Sequence, residues 1–281
     1  MDLTTQDIYC RELARANDWE RYLVSLFAPA THRASLWAIY AFNHEVAKIR
    51  ETVTEPMLGE IRLQWWREAI EGIYTGTLRE HQVVLALATA VERGDLPLKQ
   101  FDALINARSK DLKDIPFETT ADYMKYLEQS SAPLHILALR CLAAEQEAAI
   151  ECATKVGTAY ALVGVLRSAP FFFQQNRIPF PRDLMDEYHI TERSLFALTP
   201  LQELTSMVSV LAAKAEKLLN DARKISISRA ARPAVLAAAQ ALWHLARLKK
   251  AGYDPYDRRV SASIPFHELR LAMKMCLGKW S

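Results

Sequence analysis

The most informative segment of the sequence is GTAYALVGVLRSAPFF, residues 157–172. It belongs to a nearly uninterrupted apolar stretch that predicts one long helix over about 146–168. Pro170 is predicted to end this helix, because proline lacks an amide hydrogen and its ring clashes with the preceding turn. Two further prolines follow, so residues 169–182 are predicted to form an ordered loop.

The remainder of the chain has the same helical periodicity. Only 8 of its 281 residues are glycine, well below the usual share of about 7%, so residues that favour tight β-turns are scarce. Hydrophobic residues make up 51% of the chain and charged residues 24%, enough to build a large core. No Gly/Ser-rich linker or internal repeat divides it. The sequence therefore predicts an all-α protein with one domain over residues 1–281.

Cysteine usage and the N-terminus indicate the compartment. The four cysteines lie far apart and form no C-x-x-C pair, which gives no indication of a zinc site or a disulfide framework. The first residues lack the basic and apolar regions of a secretory signal and the Arg- and Ser-rich composition of a transit segment. No apolar run approaches the roughly 18 residues of a membrane-spanning helix. We expect a cytoplasmic protein.

The net charge of +2 conceals an uneven distribution. Residues 222–281 carry 12 Lys and Arg against 3 acidic residues, whereas the first 221 residues are net acidic. Such a basic face can bind an anionic lipid surface or an acidic protein, or it can complement the acidic part of the same chain. Few aromatic residues are interspersed with these charges and no nucleic-acid-binding module is recognisable, so we expect no nucleic acid as a partner.

Generic catalytic signatures, such as phosphate-binding loops or the H-E-x-x-H zinc motif, are absent from the sequence. Acidic residues spaced i, i+4 can place two carboxylates on one helix face, where they can hold Mg²⁺. Five such pairs occur in weak contexts and are interpreted as exposed surface charge. They are Glu51/Glu55, Asp114/Glu118, Glu118/Asp122, Glu147/Glu151 and Asp183/Glu187.

Two segments resemble the squalene and phytoene synthase family, the helical enzymes that join two prenyl diphosphates head to head. Residues 40–51, YAFNHEVAKIRE, are similar to the family's Y-A-F-x-R-x-x-D-D-x-x-D helix. Residues 157–172, together with RIPFP at 177–181, are similar to its G-x-A-x-x-L-x-x-x-L-R-D-x-x-E-D and G-R-x-x-L-P motifs. The resemblance covers nearly the whole chain. It implies the family's single-domain helical bundle around a central cavity.

The same comparison of motifs shows that most of the family's acidic positions have lost their carboxylates. Of six such positions only Glu51 is acidic, and the other five are Ala47, Lys48, Ser168, Phe171 and Phe172. Mg²⁺ requires oxygen ligands, and in these enzymes it bridges carboxylates to the diphosphate. The resemblance therefore implies a pseudoenzyme with no catalytic residue, no metal site and no cofactor. The alternative is a Mg²⁺-dependent head-to-head prenyl transferase that uses farnesyl or geranylgeranyl diphosphate.

The altered motifs resemble a catalytically degenerate branch of the family that contains a mitochondrial assembly factor for respiratory complex I (NADH:ubiquinone oxidoreductase). The similarity lies in LRSAP at 166–170 and in YLEQSSAPL at 126–134. It implies complex I subunits or assembly intermediates as partners. It also implies a location peripheral to the inner membrane, in the cytoplasm or, for a trimmed eukaryotic chain, in the mitochondrial matrix.

The resemblance implies that the rim of the cavity, which is acidic in the family's enzymes, is basic and apolar in this chain. Guanidinium groups bind phosphate without a metal, so an isoprenoid or phospholipid with an anionic head is the expected ligand. The candidate residues for the anionic group are Lys48, Arg50, Arg167 and Arg177, and those for the cavity lining are Tyr40, Phe171 and Phe172. In the alternative, the cations pair with Glu45, Glu51 and Asp183 while the phenylalanines fill the cavity.

The last predicted helix, over 265–280, is basic and amphipathic. Apolar residues recur along it at helical spacing, as in helices that lie on anionic membranes. The candidate membrane-surface residues are Arg270, Lys274 and Trp280. In the alternative, this helix closes the bundle and buries its apolar stripe in the core.

Overall fold

The computed structural model describes residues 3–199 and 201–277, which form helices and connecting turns without a strand. The all-α class predicted from the sequence is confirmed. In chain order the helices are α1 (Thr5–Asn17), α2 (Trp19–Ser25), α3 (Ala30–Ala47), α4 (Ile49–Thr52), α5 (Pro56–Thr75), α6 (Gln82–Gly94), α7 (Leu98–Asp111), α8 (Thr120–Cys141), α9 (Glu147–Gln174), α10 (Arg182–Glu187), α11 (Glu192–Phe196), α12 (Gln202–Arg223), α13 (Arg232–Val235), α14 (Ala237–Lys250), α15 (Arg258–Ser261) and α16 (His267–Cys276).

Helix α9 lies at the centre of the bundle and packs along α8, α12 and α14. It packs tightly against α8, where a Cβ atom on Gly157 would lie 2.9 Å from the Cα of Ala132. Among the described residues, α9 is the one helix long and apolar enough to cross a membrane by length and composition. Half of its most apolar window is buried inside the protein, as expected for a core helix.

Helix α9 continues through Pro170 to Gln174, so the prediction that Pro170 ends it was wrong. Proline removes one backbone hydrogen bond and perturbs the preceding turn. The turn after it is held by tertiary packing, since Phe173 is fully buried against the core. The predicted loop is correspondingly shorter and covers residues 175–181.

One continuous cluster of buried apolar side chains extends from Cys10 on α1 to Leu271 on α16. Elements from both ends of the chain contribute to it, because α1 packs on α3 and α6 while α14 packs on α9. One domain over residues 1–281 stays a prediction from the sequence, and this shared core supports it.

Candidate functional site

A cavity of about 420 Å³ is lined by residues of α2, α3, α4, α7, α8 and α9. This volume lies within the range of about 300–1,000 Å³ typical of small-molecule sites. The structure brings the two sequence motifs together here, because both contribute to its wall. Four of the positions at which the resemblance implies acidic residues line it, namely Ala47, Glu51, Ser168 and Phe172.

The cavity mouth is formed by Arg50, Asp114, Ile115 and Arg177, where the carboxylate of Asp114 holds both guanidinium groups. The Nε atom of Arg177 donates to Oδ1 of Asp114 at 2.8 Å, and Nε of Arg50 donates to the same oxygen at 3.2 Å. A second, closer bond joins Nη2 of Arg50 to Oδ2 of Asp114. Arg177 also lies 5.2 Å above the ring of Phe172. Arg50 and Arg177 therefore meet at the mouth, as the sequence predicted.

Asp114, which was interpreted from the sequence as exposed surface charge, is exposed, but it also lines the cavity, which the sequence did not indicate. Its partners are 64 and 63 residues away along the chain. No local spacing or motif signals such a contact, since it depends on how α4, the end of α7 and the loop after α9 are placed together.

Lys48 and Arg167 do not belong to the cavity lining, so their predicted place beside Arg50 and Arg177 is corrected. Nζ of Lys48 lies 2.6 Å from Oε1 of Glu45, one turn back on α3, which is the pairing proposed in the alternative. Nη1 of Arg167 lies 3.3 Å from Oε1 of Glu20 on α2. Successive helical residues point about 100° apart, so Lys48 and Arg167 can face away from the cavity although their neighbours Ala47 and Ser168 line it.

Of the three predicted lining residues, only Phe172 reaches the main cavity. Phe171 is exposed and borders a shallow groove beside Arg50 and Arg177. Tyr40 is buried in the core on α3 and is not part of the lining. Asp183, an expected partner of the cations, instead accepts hydrogen bonds from the backbone and hydroxyl of Thr120 at 2.7 and 2.9 Å.

Behind the mouth the cavity wall is polar, which the sequence analysis did not predict. An interior cluster, defined as Arg21, Arg108, Tyr123 and Ser131, lines this part. Nη1 of Arg21 is held by Asp18 at 2.7 Å, and Nη1 of Arg108 by Asp111 at 3.1 Å. Over the whole cavity, five cationic side chains face three carboxylates: Arg21, Arg50, Arg108, Lys110 and Arg177 against Glu51, Asp111 and Asp114.

Glu20 forms an ion pair with Arg167 and lies next to the cavity, because it is hydrogen-bonded to the lining residue Tyr160. The Tyr160 hydroxyl donates to Oε2 of Glu20 at 2.8 Å, and Nε2 of His244 lies 2.6 Å from Oε1. Burial alone would raise the pKa of Glu20, but hydrogen bonding and charge from these partners and Arg167 outweigh it and lower the pKa to about 2. Glu20 is therefore ionised at neutral pH and holds Arg167 away from the cavity.

The chain matches the family model described as squalene/phytoene synthase over residues 14–266, which includes both motifs and the cavity. The chain belongs to the squalene/phytoene synthase family. A solved dehydrosqualene synthase in complex with ligand shares the fold, with a TM-score of 0.85 and 20% identity, over 97% of this chain and 96% of that chain.

Relatives within the squalene/phytoene synthase family include proteins named for two different roles. The Bos taurus protein named NADH dehydrogenase (ubiquinone) complex I, assembly factor 6, is 29% identical over 250 residues, which cover 88% of this chain and 75% of the relative. The phytoene synthase of Thermus thermophilus is 28% identical over 251 residues, covering 87% and 84%. These percentage identities are nearly equal, so identity alone does not separate the two roles, and the chemistry of the cavity bears on the choice.

The residues present at the family's cavity do not fit Mg²⁺ ions. Within residues 3–199 and 201–277, no group of three or more His, Cys, Asp or Glu side chains is placed to hold a metal. Asp114 is already bound by two guanidinium groups, while Asp111 accepts from Arg108 and from the Tyr126 hydroxyl. Glu51 alone is a poor site for a hard cation that prefers several oxygen ligands.

Helix α16 exposes its apolar stripe, so the alternative in which this stripe is buried in the bundle was wrong. The exposed fractions are 78% for Phe266, 59% for Leu269, 49% for Met273 and 71% for Leu277. The opposite side attaches α16 to α14, where Arg270 lies 4.4 Å above the ring of Trp243 and Leu271 is buried. Arg270 and Lys274 are partly buried, and Trp280 lies outside the described residues.

Proposed function

We propose that this protein is a non-catalytic member of the squalene/phytoene synthase family that assists the assembly of respiratory complex I. The observation that carries the proposal is the exchange of carboxylates for Ala47, Ser168 and Phe172 in a cavity where cations outnumber acids. Departure of a diphosphate by the family's chemistry requires metal ions held by oxygen ligands. The relatives named complex I assembly factor 6 support the choice of role.

The cavity of this assembly factor binds an anionic amphiphile, an isoprenoid phosphate or a phospholipid, without a metal cofactor. Arg50 and Arg177 supply fork-shaped donors at the mouth that match phosphate oxygens. Asp114 occupies these donors when no ligand is bound, and an incoming anion competes with it. The protein works with complex I subunits or assembly intermediates at the membrane surface, on the cytoplasmic or matrix side.

The first test is genetic. Membranes of the host organism without this gene are expected to lose most of their NADH:ubiquinone oxidoreductase activity and to recover it when the wild-type gene is restored. Succinate oxidation in the same membranes serves as the control, because it bypasses complex I. Unchanged NADH oxidation in the deletion strain would contradict the assembly role.

The second test addresses the synthase alternative. The purified protein, incubated with Mg²⁺ and farnesyl or geranylgeranyl diphosphate, is expected to release no diphosphate above the uncatalysed background. Ordinary enzymes turn over at about 1–10³ s⁻¹, so a rate in that range would refute the pseudoenzyme assignment.

A second candidate activity, docking on an anionic membrane, is favoured by the exposed stripe of α16. Amphipathic helices that lie on membranes combine such a stripe with neighbouring cations. Burial and the charges of Arg167 and Arg270 lower the pKa of Arg247, which indicates that guanidinium groups are crowded beside this helix. Lys249, Lys250 and Arg258 are exposed in the same basic part of the chain. An anionic lipid surface complements both features.

Replacing two stripe residues, Leu269→Glu with Met273→Glu, is expected to weaken binding to phosphatidylglycerol vesicles by about tenfold or more, because each apolar side chain loses the free energy of burial in the membrane. Co-sedimentation measures the effect. Ile61→Glu on α5, at a site of 60% exposure, is the matched control and should bind like wild type. Equal binding of the α16 variant would exclude this helix as the docking element.

A further inference from the structure

The interior cluster contains four buried polar atoms that have no hydrogen-bond partner among the described residues. They are Nε of Arg21, Nε of Arg108, the hydroxyl of Tyr123 and Oγ of Ser131. All four residues line the same cavity. Buried polar groups in folded proteins are nearly always paired, so their concentration in one place indicates a polar occupant.

The chemistry of these atoms restricts what the occupant can be. A guanidinium Nε can only donate, so Arg21 and Arg108 require an acceptor. Burial raises the pKa of Tyr123, whose hydroxyl therefore keeps its proton and can donate as well. The Ser131 hydroxyl can rotate and can donate too. Four potential donors lining one cavity, two of them on positively charged groups, match the oxygens of an anionic group.

The two arginines of the cluster are held in place by neighbouring carboxylates, so they are organised before a ligand binds. Asp18 and Asp111 bind the terminal nitrogens of the two arginines and leave the Nε edges unused. The guanidinium of Arg21 also lies 4.8 Å above the ring of Tyr160. Tyr123 and Ser131 are 1% and 4% exposed and lie on α8, a helix packed along α9. Ligand binding therefore costs little conformational entropy at this end of the site.

We propose that the interior cluster binds the phosphate or diphosphate group of a phosphate ester directly, without a metal ion. This inference rests on the proposed function and deepens it, because it places the anionic group, once it has passed Arg50 and Arg177 at the mouth, in the interior cluster. The remainder of the ligand then extends past the apolar side chains of Ile115, Phe172 and Ile178 near the mouth. Arg50 and Arg177 contact the anionic group only as it enters, and they return to Asp114 once it is bound.

The test uses the full-length protein in EDTA and two probes that share the phosphate chemistry. Inorganic pyrophosphate represents a soluble ester. Dihexanoyl phosphatidic acid, kept below its micelle concentration, represents a lipid head group and avoids vesicle docking by α16. Isothermal titration calorimetry is expected to show binding of at least one probe by the wild type. Binding of pyrophosphate but not phosphatidic acid would assign the site to soluble phosphate esters. Binding of phosphatidic acid but not pyrophosphate would assign it to lipids.

The decisive variant is Tyr123→Phe with Ser131→Ala, which removes two hydroxyl groups that contribute no bond within the protein. Its thermal stability without ligand is expected to equal that of wild type or exceed it, while its affinity for the bound probe falls by about tenfold or more per lost bond to a charged group. Ser130→Ala is the matched control, because that hydroxyl already donates to the carbonyl of Leu127.

Two results would overturn the inference. One is the absence of binding of either probe by the wild type. The other is unchanged affinity in Tyr123→Phe with Ser131→Ala while Arg177→Gln loses binding, which would place the anionic group at the mouth. Neither result affects the genetic test of complex I assembly, so failure of this inference and failure of the proposed function remain distinguishable.

Discussion

Gly157→Ala is expected to destabilise the folded protein by about 1–3 kcal/mol, the usual cost of adding volume to a well-packed core. The added Cβ would lie 2.9 Å from the Cα of Ala132 and 2.9 Å from Cδ2 of His135. The first of these contacts is with backbone, so α8 and α9 must move apart. Alanine is the better helix former by about 1 kcal/mol, and the measured loss is therefore a lower bound on the cost of the contact.

Gly164→Ala is the matched control on the same helix. A Cβ at Gly164 meets nothing within 4 Å, and the residue lines the cavity. This variant is expected to be neutral or to gain up to about 1 kcal/mol from helix propensity. Urea unfolding of the two variants measures the difference. Equal stability would show that α8 and α9 do not approach each other at Gly157 as closely as described.

Acidification from pH 7.5 to 5 is expected to remove about 2 kcal/mol of stability through His135 alone. Burial, assisted by the charge of Arg21, lowers the pKa of His135 to about 4, from an ordinary value near 6.5. Between these values only the unfolded chain takes up the proton. The contribution is therefore fully present above about pH 6.5 and is lost as the pH falls toward 4. Neutral His135 places Nδ1 2.7 Å from the carbonyl oxygen of Ala234.

His135→Gln separates this contribution from that of other groups. Its amide can still donate to Ala234 but does not titrate, so its loss of stability between pH 7.5 and 5 should be smaller than that of wild type by about 2 kcal/mol. Glu20 contributes only at lower pH, because its pKa is lowered from 4.5 to about 2 and its stabilisation is lost below 4.5. His32→Gln, at a partly exposed position on α3, is the control. Parallel profiles for wild type and His135→Gln would contradict the assignment.

The two stability predictions concern the same contact between α8 and α9, and that contact also builds the candidate site. Tyr123 and Ser131 lie on α8, while Gly164 and Ser168 lie on α9. A loss of close packing at Gly157 should therefore reduce affinity for a ligand of the cavity as well as stability.

The helical class and the fold of the squalene/phytoene synthase family could be predicted from the sequence, because helical periodicity and the motifs at 40–51 and 157–172 are local patterns of neighbouring residues. The loss of carboxylates at the motif positions was visible for the same reason. The meeting of Arg50 with Arg177 at one mouth also followed, since each belongs to a motif whose relative placement the family resemblance supplies.

Which charged side chains face the cavity depended on the packing of helices far apart in the chain. Residue types and spacing could not separate Arg177, which reaches the mouth, from Arg167, which Glu20 holds elsewhere. They could not reveal Arg21 and Arg108 in the interior, nor show that α16 would turn its apolar stripe outward. Local sequence determines which face of a helix is apolar. Whether another element covers that face or it stays exposed depends on the long-range contacts of the whole fold.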